Sequence, residues 1–325
     1  QGVLMFVGLV LLPIVALVSL GGWGGMSDKL VAIDPTLLTL AGPDGWTALS
    51  ITGTVGLALI GLGFLGSPQI FARFIALKDE GQIRKGTVVA FFWTVLADGG
   101  AVVTGMAGRA LLTGPDGDVV SILGNGAQDV LPLSVELLMP PVLVGLYIAI
   151  VLSAIMSTVD SLLVVASSAA IRDIYQQVLH PELGDDVLMK HSRTATLALG
   201  GVALAIAVAM GALVEGRTVF WFVVFGWSGI AATFCPTMIL SLYWRGMTAK
   251  GALAAMITGF VCVPLFKFGV TALPGVGPYA AELAELPPAF FLGGLAAVVV
   301  SKLDGAGRRA LEDAGIGEEL DAAGA

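Results

Sequence analysis

Apolar residues run along this chain in blocks of about 20, and each block ends at charged, Gly or Pro positions. At ~1.5 Å of rise per residue, such a block matches the ~30 Å hydrocarbon core of a bilayer. The pattern predicts eight membrane-spanning helices, over roughly 2–21, 47–76, 86–112, 140–171, 192–214, 218–244, 249–270 and 288–302. The second and fourth blocks are too long for a simple perpendicular helix, since 30 residues rise about 45 Å. They must tilt, break or continue outside the bilayer. The second holds its own break signal: "GLGFLGSP" (61–68) packs three glycines and a proline into eight residues. Glycine admits unusual backbone angles, and proline removes an N–H donor and frees a carbonyl.

Composition agrees with the pattern. The 325 residues are 57% hydrophobic and only 12% charged, and the mean hydropathy is +0.94. Soluble domains carry about 25% charged residues, so this chain lacks the polar surface that water would demand. The net charge of −8 lies largely in loops and in the acidic residues after Lys302, with no basic stripe for nucleic acid. Cys235 and Cys262 sit in apolar blocks and read as small buried hydrophobes. His180 and His191 flank a polar loop without ligand partners, and no nucleophile–base set stands out, so an enzyme is not expected. No obligate protein partner is evident either.

Lysine and arginine set the expected orientation. Twelve of the 16 basic residues fall on one side, in the loops around 73–85, 172–193 and 245–250 and in the C-terminal stretch; only Lys29, Arg109, Arg217 and Lys267 fall on the other. The first side is expected to be cytoplasmic, and with it the C-terminus. The loops 22–44 and 114–128 are then external, with room for short surface helices. Residues 1–302 read as one transmembrane domain and 303–325 as a short cytoplasmic tail. The chain begins at Gln1 inside an apolar block, which suggests a domain incomplete at its N-terminus.

The fourth span carries an excess of oxygens. In "SAIMSTVDSLLVVASS" (153–168), six hydroxyls and one carboxylate interrupt an apolar helix. Ala154, Ser157, Thr158 and Ser161 fall on one helical face, with Asp160 at its edge. A hard cation seeks oxygen ligands, and two neighbouring hydroxyls with a main-chain carbonyl one turn earlier are the parts of a sodium site. The same residues can instead bond back to the i−4 carbonyl or join helices. Asp160 adds weight to a functional reading, because a carboxylate at membrane depth is costly. Asp98, in "VLADGGAVV", is a second intramembrane acid; a hydrogen bond to a neighbouring span is expected, with close helix approach at Gly99 and Gly100.

"SAIMSTVDSLLVVASSAAIRDIY" resembles the eighth core helix of the sodium:solute symporter family, where such a hydroxyl pair lines a sodium site. "FLGSPQIFARFIALKD" (64–79) resembles the family's sixth core helix and its cytoplasmic exit. "FGWSGIAATFCPTMILSLYWRGMTAKGALAAMITG" (225–259) resembles the tenth core helix, the inner loop and the helix after it. The resemblance covers nearly all of residues 1–302. It implies an all-α LeuT-type fold of inverted repeats, with ion and solute held at the midplane by broken helices. The eight spans would be core helices five to ten and two further helices, with core helices one to four absent.

The resemblance also implies roles. Ala154 (carbonyl), Ser157 and Thr158 would be ligands of a co-transported sodium ion, with Asp160 and Ser161 as weaker additions. The branch of the family that carries proline has Trp, Tyr and Pro at the positions of Ile60, Phe64 and Pro68, which would face the solute; only the proline is kept. Losing an aromatic wall and a phenol hydroxyl leaves proline, or another small carboxylate-bearing solute, as the expected cargo. The implied activity is sodium-coupled uptake by alternating access in a bacterial inner membrane. A symporter-like sensor, or a passive channel or scaffold, is the alternative.

Overall fold

The computed structural model describes residues 2–64, 66–79, 81–115, 117–213 and 218–313. Arg217 of the charge count and residues 314–325 of the tail lie outside them. Among the described residues the secondary structure is entirely helical. The α-helices are α1 (Gly2–Ser19), α2 (Gly22–Ile33), α3 (Ala48–Leu59), α4 (Pro68–Ile75), α5 (Gly81–Leu112), α6 (Val119–Leu123), α7 (Val130–Leu138), α8 (Pro141–Ser168), α9 (Asp185–Leu213), α10 (Val219–Tyr243), α11 (Ala249–Pro264), α12 (Gly277–Leu283), α13 (Leu286–Leu303) and α14 (Gly305–Asp313).

Among the described residues, seven stretches are long and apolar enough to cross a membrane, and the bent pair Ala48–Phe64 and Pro68–Ile75 makes an eighth. Each falls on one of the eight predicted blocks; the third and fifth begin five residues earlier than predicted, and the fourth runs eight residues past its predicted end. Both long blocks resolve as anticipated. The second breaks: α3 passes into a 3-10 turn, Ile60–Phe64, and α4 restarts at Pro68 after a bend of 40°. The fourth continues: α8 runs without a stop into a π-helical stretch, Ala169–Leu179, giving 39 residues in all. Apolar side chains such as Val89 (67% exposed) and Leu197 (79% exposed) point away from the protein, as a hydrocarbon solvent permits.

The chain forms two compact units, one of residues 1–40 and 77–218, the other of residues 41–76 and 219–325. In the first, α1 is the hub. Gly100 on α5 lies so close to α1 that a Cβ there would sit 2.5 Å from the Leu9 carbonyl oxygen. The Tyr147 hydroxyl of α8 donates to the Gly8 carbonyl of α1 at 3.3 Å. Leu12, Val135, Met139 and Tyr147 form one core cluster. The loop helix α2 places Met26 and Leu30, one turn apart, against Ala107 and Ala110 of α5, so its burial follows from i, i+4 spacing. Asp34 caps the short 3-10 turn that follows, accepting from the Thr36 hydroxyl at 2.7 Å and amide at 2.8 Å. Those bonds, the hydroxyl's first, hold its carboxyl below the usual range. Surface helices were expected in both long loops, and α2 and α6 supply them; α7 and α12 were not expected.

In the second unit α10, α11 and α13 pack together around Ala231, Ala232, Cys235, Cys262, Ala289 and Phe290. Backbone meets backbone here. A Cβ on Gly259 of α11 would lie 2.0 Å from the Ala232 carbonyl oxygen of α10, and one on Gly293 of α13 would lie 3.2 Å from that of Ala255. Small residues at the seam are what allow membrane helices to gain dispersion contact in the absence of a hydrophobic drive. α3 is set against α12 in the same way, Gly56 facing the Leu283 carbonyl. Beyond α13, the buried Asp304 carboxylate accepts from Lys250 Nζ at 3.1 Å and the Gly307 amide at 3.2 Å. The Gly307 amide above all, then Lys250, holds this carboxyl below its ordinary value. At the other end of α13, Glu285, 2% exposed in its side chain, pairs with Lys267 at 3.5 Å, while its second oxygen has no hydrogen-bond partner among the described residues.

Candidate ion and solute sites

The oxygens of α8 gather at one carbonyl. Ser157 Oγ donates to the Ala154 carbonyl at 2.8 Å, and Thr158 Oγ1 reaches the same oxygen at 3.5 Å. Three of the nominated atoms thus meet in one helical turn, because i, i+3 and i+4 lie on one face. Each hydroxyl turns its proton inward to the carbonyl, which leaves its lone pairs directed outward as acceptors. Ala154 and Ser157 are half-buried and Thr158 is exposed. Ser161 continues the face, donating to the Ser157 carbonyl at 2.9 Å. Asp160 is exposed at the edge. Further along, Ser167 is buried and bonds the Val164 carbonyl at 3.2 Å, a packing arrangement.

The broken span belongs to the other compact unit, together with α10. Ile60 opens the 3-10 turn and Phe64 closes it, so the two lie a single tight turn apart. Pro68 occupies the first turn of α4, where its missing N–H costs no helical bond. Phe64 is 57% exposed, and its ring centroid stands 4.9 Å from that of Trp227 on α10. Among the described residues the buried Trp227 indole N–H has no hydrogen-bond partner. Trp227 packs on the break itself: a Cβ on Gly63 would fall 2.4 Å from the indole nitrogen.

The expected Asp98 hydrogen bond is not formed. Asp98 is exposed on α5 and has no hydrogen-bond or ion-pair partner among the described residues. The close helix approach expected there falls at Gly100, while Gly99 has open space beside it. Cys235 also departs from its sequence reading. It is buried, yet its thiol is used, donating to the Gly63 carbonyl at 3.1 Å and accepting the Gly66 amide at 3.2 Å. Those partners are about 170 positions away in the chain, and no local pattern could have signalled them.

Comparison with known proteins fits these features. The sequence pattern that defines the sodium:solute symporter family matches residues 1–259. The chain is 32% identical over 319 residues to the high-affinity proline transporter PutP of Bacillus subtilis, an alignment covering 96% of this chain and 61% of that protein. It is 31% identical over 304 residues to a sodium/proline symporter of Staphylococcus aureus, covering 93% and 56%. The osmoregulated proline transporter OpuE of Bacillus subtilis is 29% identical over 304 residues, covering 93% and 57%. The chain therefore spans somewhat over half the length of these relatives. A multi-pass helical membrane protein with a glycine-broken span, matched to the family pattern over most of its length, it belongs to the sodium:solute symporter family.

Proposed function

We propose that the full-length protein takes up a small carboxylate-bearing solute coupled to sodium, by alternating access, with proline the first candidate. What carries this reading is the clustering of the Ser157 and Thr158 hydroxyls and the Ala154 carbonyl within one turn of a membrane-spanning helix; the hydroxyls bond back to that carbonyl, as the alternative reading of these residues had it, and a bound ion would replace those bonds. A sodium ion held by those three oxygens supplies the coupling. Ser161 and Asp160, further along the same face, serve the ion's path. Ile60, Phe64 and Pro68 border the solute, with the exposed Phe64 ring as an apolar wall. Similarity to proteins named as proline transporters supports the solute class. Replacement of the branch's Trp and Tyr by Ile60 and Phe64 argues for a cargo recognised with fewer aromatic and hydroxyl contacts.

The energetics suffice. One positive charge entering down an inside-negative potential of about 100 mV releases about 2.3 kcal/mol, which sustains roughly fiftyfold accumulation of a neutral solute before any sodium gradient is added. Lys and Arg asymmetry supports a cytoplasmic C-terminus in a bacterial cytoplasmic membrane. The test is solute-driven sodium flux. Full-length protein reconstituted in proteoliposomes should admit labelled sodium when proline or a related solute is added outside. Sodium entry independent of any solute would support a channel instead, and no flux in either condition would overturn the transport reading.

A further inference from the structure

A helix that opens between Gly63 and Ser67 leaves backbone groups without their usual partners. In this break the Gly63 carbonyl and the Gly66 amide are both served by one side chain from another helix. Cys235 Sγ lies 3.1 Å from the first and 3.2 Å from the second, and the residue is fully buried. The Ser67 hydroxyl gives the Gly63 carbonyl a second donor at 2.7 Å. Two glycines make this approach possible. A Cβ at Gly66 would stand 2.7 Å from the Cys235 Cα, and one at Gly63 would stand 2.8 Å from the Ala231 Cβ. Trp227, Ala231 and Cys235 are spaced four apart, so a single face of α10 holds the whole break.

We propose that Cys235 is a positioning residue for the solute site: its thiol, donor and acceptor at once, fixes the two loose backbone groups of the broken span on α10 and so sets where Phe64 stands. The proposal rests on the reading of the broken span as the solute site. A thiol suits the task because it offers a weak donor and a weak acceptor; the bonds bridge the gap yet yield readily if the break rearranges during transport. Serine keeps both functions. Alanine keeps neither: the Gly63 carbonyl retains only the Ser67 hydroxyl, and the buried Gly66 amide loses the Cys235 sulfur that accepts it, which is costly.

The experiment compares Cys235→Ala and Cys235→Ser with wild type in sodium-dependent proline uptake by the full-length protein in proteoliposomes, normalised to reconstituted protein. Cys235→Ala should raise the solute KM about tenfold or more with kcat changed less than threefold, and Cys235→Ser should stay within about threefold of wild type in KM. An alanine variant with wild-type KM overturns the proposal, and so does a serine variant as impaired as alanine. If the alanine variant does not accumulate, serine alone decides: retained KM supports the proposal and a tenfold rise overturns it. Wild-type protein that transports no solute would sink the functional reading itself, an outcome visible before any variant is measured.

Discussion

Replacing Thr158 by alanine separates ion binding from folding. The Thr158 hydroxyl is exposed and reaches the Ala154 carbonyl only at 3.5 Å, the outer limit of a hydrogen bond. Its loss therefore removes little native stability, and alanine is the better helix former by up to ~0.7 kcal/mol. Protein yield and melting temperature should be nearly unchanged. Sodium affinity should behave differently. An interaction between a neutral oxygen and a charge contributes about 1.5–3 kcal/mol, and each 1.4 kcal/mol is about tenfold in affinity. The sodium concentration for half-maximal uptake should thus rise roughly 10- to 150-fold. Ser157→Ala should act in the same direction but also lose the 2.8 Å bond to Ala154, so it should lower stability more. Thr158→Ser, which keeps the oxygen, should restore the sodium response. The assay is initial-rate uptake against sodium concentration at saturating solute in proteoliposomes of the full-length protein. A Thr158→Ala curve superimposed on wild type would refute the assignment of this hydroxyl as a ligand.

Other changes probe the supporting structure. Gly63→Ala forces a Cβ to within 2.4 Å of the Trp227 indole, whereas Gly61→Ala meets open space; uptake should fall at least tenfold for the first and less than twofold for the second, and equal effects would contradict the geometry. Lys267→Met strands the buried Glu285 carboxylate, a loss toward the low end of ~3–5 kcal/mol because Lys267 is partly exposed. Adding Glu285→Met should recover most of the melting temperature in detergent, and a double variant no more stable than the single would disprove the pairing. The Asp304 carboxyl titrates below its ordinary value of 3.8 in the folded protein, so the folded state binds fewer protons than the unfolded one in acid. Its contribution is fully present above that ordinary value and is lost as pH falls through the lowered one. Asp304→Asn should flatten the acid limb of the stability curve below about pH 4, and an unchanged limb would exclude the effect.

The spans were legible because a bilayer imposes a single demand, a run of about 20 apolar residues with internally satisfied backbone. The break was legible because three glycines and Pro68 can hardly sit in a regular helix. Ala154, Ser157 and Thr158 were legible as a group because helical periodicity alone puts them together. What escaped depends on distant residues. Helix α7 is short, and its buried residues Ser134 and Val135 are adjacent to one another, so no amphipathic period marks it. The Cys235 bonds and the Lys267–Glu285 pair join positions brought together only by packing. Asp98 was assigned a partner because an intramembrane acid ordinarily needs one, but position on a helix face does not supply it.

The seam between α10, α11 and α13 has a consequence for motion. At Gly259 and Gly293 these helices touch through carbonyl oxygens rather than side chains, so no rotamer can swing aside to let one slide past another. The three must travel as a block or stay still. Pliancy in this half of the chain is then concentrated at the turn where α3 gives way to α4, between Gly63 and Ser67, where backbone groups rely on the Cys235 thiol instead of helical partners. A conformational cycle would flex that turn like a wrist against an unmoving forearm.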